Sequence, residues 1–345
     1  MRGEICMMQS AIKKLIEGES LSEKEIIGYM NTIMDGNATP AQIGSFITAL
    51  RIKGETIEEI TGCARVMREK AERINPKLDY CIDTCGTGGD GTNTFNISTA
   101  AAFVAAAGGV AVAKHGNRSV SSKSGCADVL EALGVNIVLS PEQAEKCLEN
   151  LGICFMFAPA FHKSMKYAAG PRKELGIRTI FNVLGPLTNP AGAKAQLLGV
   201  FDGRLTEPIA SVLVNLGVER AMVIHGSDGM DEITVTGTTK VSEVSDGKIT
   251  NYEINPEDFG IKRAEKAQLV GGDAKANADI ILSVFKGEKG PKRDIVLLNS
   301  AAALYVGKKA ENLKDGLEKA AYLIDGGLAL KKVQELSDYT KEFIS

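Results

Sequence analysis

The chain of 345 residues contains no tryptophan and no excess of basic side chains: 40 Lys and Arg stand against 43 Asp and Glu, for a formal net charge of −3. A protein that holds nucleic acid through its phosphates normally carries a basic surplus, so no nucleic-acid partner is expected. Its seven cysteines, Cys6, Cys63, Cys81, Cys85, Cys126, Cys147 and Cys154, are odd in number, scattered and without a Cys-x-x-Cys pair. That pattern excludes a disulfide framework and a zinc site and points to a reducing, cytoplasmic compartment. The opening segment MRGEICMMQSAIKKLIEGE lacks the apolar stretch of a secretory signal, so none is expected. The longest apolar run, Ala100 to Ala113, is interrupted by Gly108 and Gly109 and stopped by Lys114. It falls short of the roughly 18 residues a membrane span needs, and is predicted to be buried core. Internal repeats, low-complexity tracts and long linkers are absent as well.

What is present is the composition of a folded globular chain, 44% apolar and 24% charged, too long for one average domain of roughly 100–200 residues. The first seventy residues predict a helical bundle. Ser22 with Glu25, Thr39 with Gln42 and Thr56 with Glu59 each form a capping box, with Pro40 at a first helical position and Gly36 and Gly54 placed to end helices. From Leu78 the pattern changes to alternating strands and helices: LDYCID, a helix from about Ile97 to Ala107, VAVAK, a helix from Ala127 to Leu133, then NIVLS, the helix PEQAEKCLENLG, ICFMFAPA, AQLLGVFD and AMVIHG. Such alternation predicts a mainly parallel sheet covered by helices. Asp246-Gly247 within EVSDGKITNYEI signals a hairpin, and the tail from Ser300 reads as helical. The fold class is therefore α/β, with a small N-terminal helical domain (1–72, and a returning segment of about 168–190) and a larger α/β domain (73–167 and 191–345).

Four segments at strand ends carry candidate chemistry. In Asp83 to Thr99, glycines 86, 88, 89 and 91 permit close backbone approach, and the helix that follows turns its free N–H groups back on the turn, a ready anion site. Asn96, Ser98 and Thr99 add short polar donors. Gly86-x-Gly88-x-x-Gly91 satisfies a dinucleotide fingerprint formally, but the next strand ends in Lys114-His115 where that fingerprint wants an acid, and no P-loop lysine follows Gly91. In Lys114 to Gly125, three cations and four serines follow the neighbouring strand. Ligands of open α/β sheets bind beyond the carboxyl ends of strands, so two such loops imply a ligand with two separated phosphates. Asp228-Gly-Met-Asp231-Glu232 follows AMVIHG and offers hard oxygen ligands suited to magnesium together with substrate phosphates; alone, such an acidic turn is more often simply solvated. In the segment Gly170 to Asn189, Arg172 beside a Gly-Pro turn presents a planar fork either to a carboxylate or to a surface salt bridge.

Together GTGGD (86–90), NIST (96–99), KHGNRSVSSKSG (114–125), ADVLEALG (127–134), GPRKELGIRTIFNVLGPLTNP (170–190) and DGMDE (228–232) resemble the anthranilate phosphoribosyltransferases, in order and over essentially the whole chain. The resemblance implies transfer of a phosphoribosyl group from 5-phosphoribosyl 1-diphosphate (PRPP) to the amine of anthranilate in tryptophan biosynthesis, with magnesium, two ions per monomer, and a homodimer formed through the helical part. It implies that Gly86, Gly89, Asp90, Thr94, Asn96, Ile97, Ser98, Thr99 and the run Lys114, His115, Gly116, Asn117, Arg118, Ser119, Val120, Ser121 and Ser122 hold PRPP, that Ser98, Asp231 and Glu232 ligate metal, and that Asn117 and Arg172 contact anthranilate. Lys114, Arg172 and Asn117 are the implied catalytic set. Position 126, often serine in the family, is Cys126, a weaker donor toward phosphate. His115 either assists proton removal or positions and packs, positioning being preferred. No serine–histidine–acid or cysteine–histidine set is evident, so no covalent intermediate is expected. A nucleoside phosphorylase shares this architecture, and a non-catalytic nucleic-acid-binding relative is the alternative of a different class. The two phosphate loops and the Asp-Glu pair speak against the first, the acidic balance against the second.

Overall fold

The computed structural model describes residues 2–119 and 123–343. Helices α1 (Arg2–Ile16), α2 (Glu23–Met34), α3 (Pro40–Lys53) and α4 (Ile57–Lys70) form the N-terminal bundle. All three expected capping boxes are made: Ser22, Thr39 and Thr56 each accept the N–H three residues on, and each partner side chain returns the bond. Glu59 does more than cap. Fully buried, it also takes the Leu21 N–H at 2.9 Å and the Lys53 ammonium at 2.9 Å, tying α3 and the α1–α2 turn to α4.

The rest of the chain builds a seven-stranded sheet. In order along the sequence come β1 (Ile82–Gly86), α5 (Ile97–Ala107), β2 (Val112–Gly116), α6 (Cys126–Ala132), α7 (Pro141–Leu151), β3 (Ile153–Phe157), α8 (Ala158–Phe161), α9 (Lys166–Leu175), α10 (Phe181–Leu187), β4 (Ala195–Gly199), α11 (Thr206–Asn215), β5 (Arg220–Gly226), β6 (Thr239–Ser245), β7 (Lys248–Ile254), α12 (Ala274–Phe285), α13 (Pro291–Val306), α14 (Leu313–Asp325) and α15 (Leu328–Lys341). The strands lie in the order β3-β2-β1-β4-β5-β6-β7, the first five mutually parallel and β6 antiparallel to both β5 and β7. The β6–β7 hairpin turns at Asp246 and Gly247, both with positive φ (50° and 77°), the geometry that the Asp-Gly pair supplies.

Strand alternation sorts the core. Leu197, Met222 and Ile224 share one cluster with α5, α12, α13, α14 and α15, whereas Leu198, Ala221 and Val223 face the bundle helices, α10 and α11. Ala168, Ile180, Phe181, Leu184 and Leu187 sit in that second cluster with the core of α2, α3 and α4.

Three details differ from the sequence expectations. Residues 136–140 form no strand: the Asn136 N–H bonds to Thr340 Oγ1 at 3.0 Å and the Val138 N–H to Asn136 Oδ1 at 3.1 Å, so side chains take the donors that a ladder would have used. Gly170 and Pro171 lie inside α9, not in a turn, and Arg172 is therefore presented from a helix. The helical tail begins at Pro291, ahead of Ser300. Among the described residues no helix is long and apolar enough to cross a membrane.

Candidate active site

Strand order reverses at β1: the chain runs outward to β2 and β3 on one side and returns to β4 on the other. The carboxyl ends of β1 and β4 flank that switch point, where open α/β sheets form their ligand crevice. The glycine-rich turn leaves β1 there. Gly88, Gly89 and Gly91 have φ of 64°, 73° and 75°, and these three use glycine for its conformational freedom.

Gly86 is required for a different reason. Asp231 reaches across from the loop after β5, its Oδ2 accepting the Gly88 N–H at 2.8 Å. One oxygen each of Asp90, Asp231 and Glu232 lie within 4.8 Å of one another. Burial, with the neighbouring Asp90 charge, raises the Asp231 carboxyl above the ordinary range; burial, with Asp231 and Asp90, raises Glu232 further. Glu232 Oε2 is buried and has no hydrogen-bond partner. Three hard carboxylates, mutually repelling and with an unsatisfied oxygen, fit a divalent cation such as magnesium. The loop that carries them is fixed from behind. Asp228 accepts from Thr234 and Thr236 hydroxyls at 2.6 and 2.5 Å, and Asn299 of α13 takes the Ile233 N–H at 3.0 Å and donates to the Ile233 carbonyl at 2.8 Å.

On the β2 side, Lys114 is 3% exposed and donates to the Thr84 carbonyl and, at 3.4 Å, to Ser98 Oγ. It sets a positive charge beneath the junction of β1 and α5. Ser98 thus contacts Lys114 and, through its carbonyl, the Thr84 hydroxyl at 3.1 Å. Thr99 Oγ1, in the first turn of α5, is buried without a partner. Thr94 bridges to Val270, Asn96 bonds to Asn277, and Ile97 begins α5.

His115 is buried beside His162, ring centroids 5.0 Å apart, and burial pushes its pKa down to about 3. Below it the Asp83 carboxylate, fully buried and raised to about 6 by that burial, accepts from Asn189 Nδ2 at 2.7 Å and the His115 N–H at 3.3 Å. Asn117 is exposed at the start of the loop. Gly116 packs on Cys126, whose thiol donates to the Asn117 carbonyl at 3.3 Å. The Arg118 guanidinium bonds to Asp128 and Glu131 of α6 at 2.5 to 2.9 Å, and the Ser119 N–H approaches Asp128 at 3.4 Å. Val120, Ser121 and Ser122 lie outside the described residues. Arg172 stacks over Phe181 at 5.0 Å.

Comparison with known proteins finds relatives along nearly the whole chain. Residues 78–330 match the Glycosyl transferase family, a/b domain, and residues 9–71 its helical bundle domain. An anthranilate phosphoribosyltransferase of Acetivibrio thermocellus is 68% identical over 339 residues, covering 98% of each chain, and one of Thermoanaerobacter sp. is 59% identical over 97% of this chain and 99% of that one. The chain belongs to the anthranilate phosphoribosyltransferase family. A family structure from Thermus thermophilus superposes with a TM-score of 0.91 at 44% identity, covering 96% of this chain and 99% of that one. Another, from Saccharomyces cerevisiae in complex with PRPP and Mg, gives 0.90 at 28% identity over 98% of each.

Several residues that shape this family member's site were expected in another role, or carried no sequence signal of their own. Asp90 was expected among the PRPP contacts and stands in the carboxylate cluster. Arg178, within a segment already singled out, donates to the Gly89 carbonyl and lies over Phe201 at 4.2 Å. Asn189 was visible only as the end of the same segment. Asn277 and Asn299 are single asparagines in helices, and only the fold brings them to the loops.

Proposed function

We propose that this protein transfers the phosphoribosyl group of PRPP to the amine of anthranilate, releasing diphosphate and N-(5-phosphoribosyl)anthranilate. The observation that carries this reading is the contact of Asp231 with the Gly88 N–H, which sets a metal-fitting carboxylate cluster directly against an anion-binding turn.

In this reading the glycine-rich turn and the first turn of α5 hold the phosphates of PRPP, with Gly86, Gly89, Thr94, Asn96, Ile97, Ser98 and Thr99 on one side and the loop from Lys114 to Ser122 on the other. Asp90, Asp231, Glu232 and Ser98 would hold magnesium, two ions per monomer. Bound there, magnesium supplies positive charge to the diphosphate. As the ribosyl C1 bond breaks, negative charge gathers on that leaving group, and Lys114 and the α5 N-terminus would stabilise it. Arg172 and Asn117 hold anthranilate with its amine in line for attack, a positioning effect. An aryl amine loses its proton readily once bonded to C1, so no strong base is required. His115, buried and held neutral, serves in packing and position.

Residues 168–190 are assigned to the helical unit with 1–72, which is supported by their share in the bundle core. Ile16 and Ile52, 72% and 81% exposed at the ends of α1 and α3, support a homodimer through that unit. Sedimentation at two concentrations tests it.

The activity is tested by loss of anthranilate fluorescence on adding PRPP, with and without magnesium. Magnesium-dependent decay at catalytic enzyme concentration is expected. Retained PRPP binding without decay would refute the acceptor, and absence of both would refute the reading.

A further inference from the structure

The segment after residue 269 grips the end of the glycine-rich loop that leads into α5. Thr94 pairs with Val270 in an isolated antiparallel bridge, and the Gly271 N–H donates to the Asn93 carbonyl at 2.9 Å. Contact is so close that a β-carbon on Gly271 would fall 2.7 Å from the Phe95 nitrogen and 2.5 Å from Asn277 Oδ1. Asn277, in the first turns of α12, is 2% exposed. Its Oδ1 accepts the Gly272 N–H at 2.7 Å, and this backbone donor fixes the orientation of the amide. The other end, Nδ2, therefore faces Asn96 and donates to its Oδ1 at 3.0 Å.

Asn96 is the N-cap residue of α5. An asparagine in that place normally turns its side-chain oxygen onto the N–H of the second or third helical residue. Here those residues are Ser98 and Thr99, and Asn96 makes no side-chain cap bond. Its oxygen is committed to Asn277 instead. The Ile97 N–H is taken by the Phe95 carbonyl at 2.8 Å, which leaves the Ser98 and Thr99 N–H groups as the donors that the helix start can offer an anion. A cavity of about 220 Å³, lined by Thr92, Thr94, Lys123, Ser124, Gly272 and Asn277, adjoins the same loop.

We propose that Asn277 is a positioning residue that holds Asn96 away from its own helix, so that the N-terminus of α5 stays open to a phosphate of PRPP. This rests on the functional reading above. Without Asn277, Asn96 is released to cap α5 itself and competes with the substrate for the same N–H groups. A merely structural asparagine would lower stability and leave the two substrates equally affected.

The test is steady-state kinetics and PRPP-induced thermal shift on the full chain for wild type, Asn277→Ala, Asn277→Ser, Asn96→Ala and the double variant Asn96→Ala/Asn277→Ala. Serine is too short to reach Asn96 but keeps a hydroxyl for Gly272, so it covers the case in which the alanine variant does not fold. By the strength of an N-cap interaction, either Asn277 substitution should raise the KM for PRPP about tenfold, with the KM for anthranilate and kcat changed by less than about twofold. In the Asn96→Ala background the same substitution should add less than about twofold. An equal rise in both KM values, a loss in kcat alone, or full additivity in the cycle would overturn the inference and leave the functional reading intact. Wild type that neither consumes PRPP nor melts higher in its presence would overturn both.

Discussion

Asp231 occupies the space that a side chain on Gly86 would need: its Oδ2 lies 2.2 Å from the position of a β-carbon there. Its backbone carbonyl oxygen does the same to Gly199, at 1.5 Å. Gly86 and Gly199 are register partners at the carboxyl ends of β1 and β4, and neither has positive φ. Both strands are bare at this level so that an acidic loop from beyond β5 can lie across them and bring its carboxylates to the glycine-rich turn.

Gly199→Ala should therefore act on the metal site without touching substrate. The neighbour is backbone, which cannot swing aside, so the loop must shift or strain. Overpacking of this kind destabilises by about 1–3 kcal/mol. The magnesium concentration for half-maximal activity should rise about tenfold, given how steeply metal affinity depends on outer support. Thermal unfolding and a magnesium titration measure the two effects. A loss of stability with an unchanged magnesium response would separate Gly199 from the placement of Asp231.

Glu232→Gln should separate stability from activity. In the absence of metal, three carboxylates share one half-buried pocket, and one of them has an unpaired buried oxygen. Glutamine removes an ionisable group whose charged form burial and the neighbouring carboxylates disfavour, so the chain in excess chelator should gain about 1 kcal/mol, as functional sites often do when their strain is removed. Activity should fall by about a hundredfold or more for loss of charge at the metal. Melting in chelator is the direct check; a lower melting point for the variant would mean that Glu232 supports the fold.

Much of this was legible locally. Capping boxes announce α2, α3 and α4 because both partners lie within one turn. The bounds of α5 could be read because a run of small apolar residues ends at Gly108-Gly109. Residues 136–140 were misleading because alternation records burial on one side and says nothing of which partner takes the backbone donors; Asn136 and Thr340 took them. Gly170-Pro171 was misleading for the opposite reason, since packing of α9 against the bundle holds a helix through two residues that disfavour it. In the site, the glycine turn and the acidic pair are short motifs and stood out. Their joining through Gly86 and Gly199, and the support from Asn277, Asn299 and Arg178, depend on strand order and could not be read from spacing.

Arg172→Ala should weaken anthranilate alone. The guanidinium is presented from α9 over the Phe181 ring, 5.0 Å from its centroid, and burial lowers its pKa. Losing a charge-assisted contact to the acceptor's carboxylate should raise the anthranilate KM by about tenfold to a hundredfold. Arg172→Lys should restore little, because an ammonium lacks the planar face and fork. A rise confined to the PRPP KM would refute the assignment.

His162→Gln should make the protein less sensitive to acid. Burial keeps both His115 and His162 neutral, lowering their pKa values from 6.5 to about 3 and about 4. Their rings are held toward the Gly185 and Thr188 carbonyls, and both Nε2 atoms are buried without a partner, so neither has a stabilising site for a second proton. In the unfolded chain each histidine protonates near its ordinary value. The stability contributed by the neutral ring is thus present in full above that value and is lost as pH falls toward 4. At pH 5 the loss for His162 amounts to about 2 kcal/mol. Asp83 works in the other sense: raised to about 6 by burial, its carboxyl favours the folded state more as pH falls toward its unfolded value. That contribution is common to wild type and variant and cancels in their difference. Urea denaturation at pH 7 and pH 5 should show the wild type losing about 2 kcal/mol more than the glutamine variant across this interval. Equal losses would mean that the imidazole is protonated within the folded core.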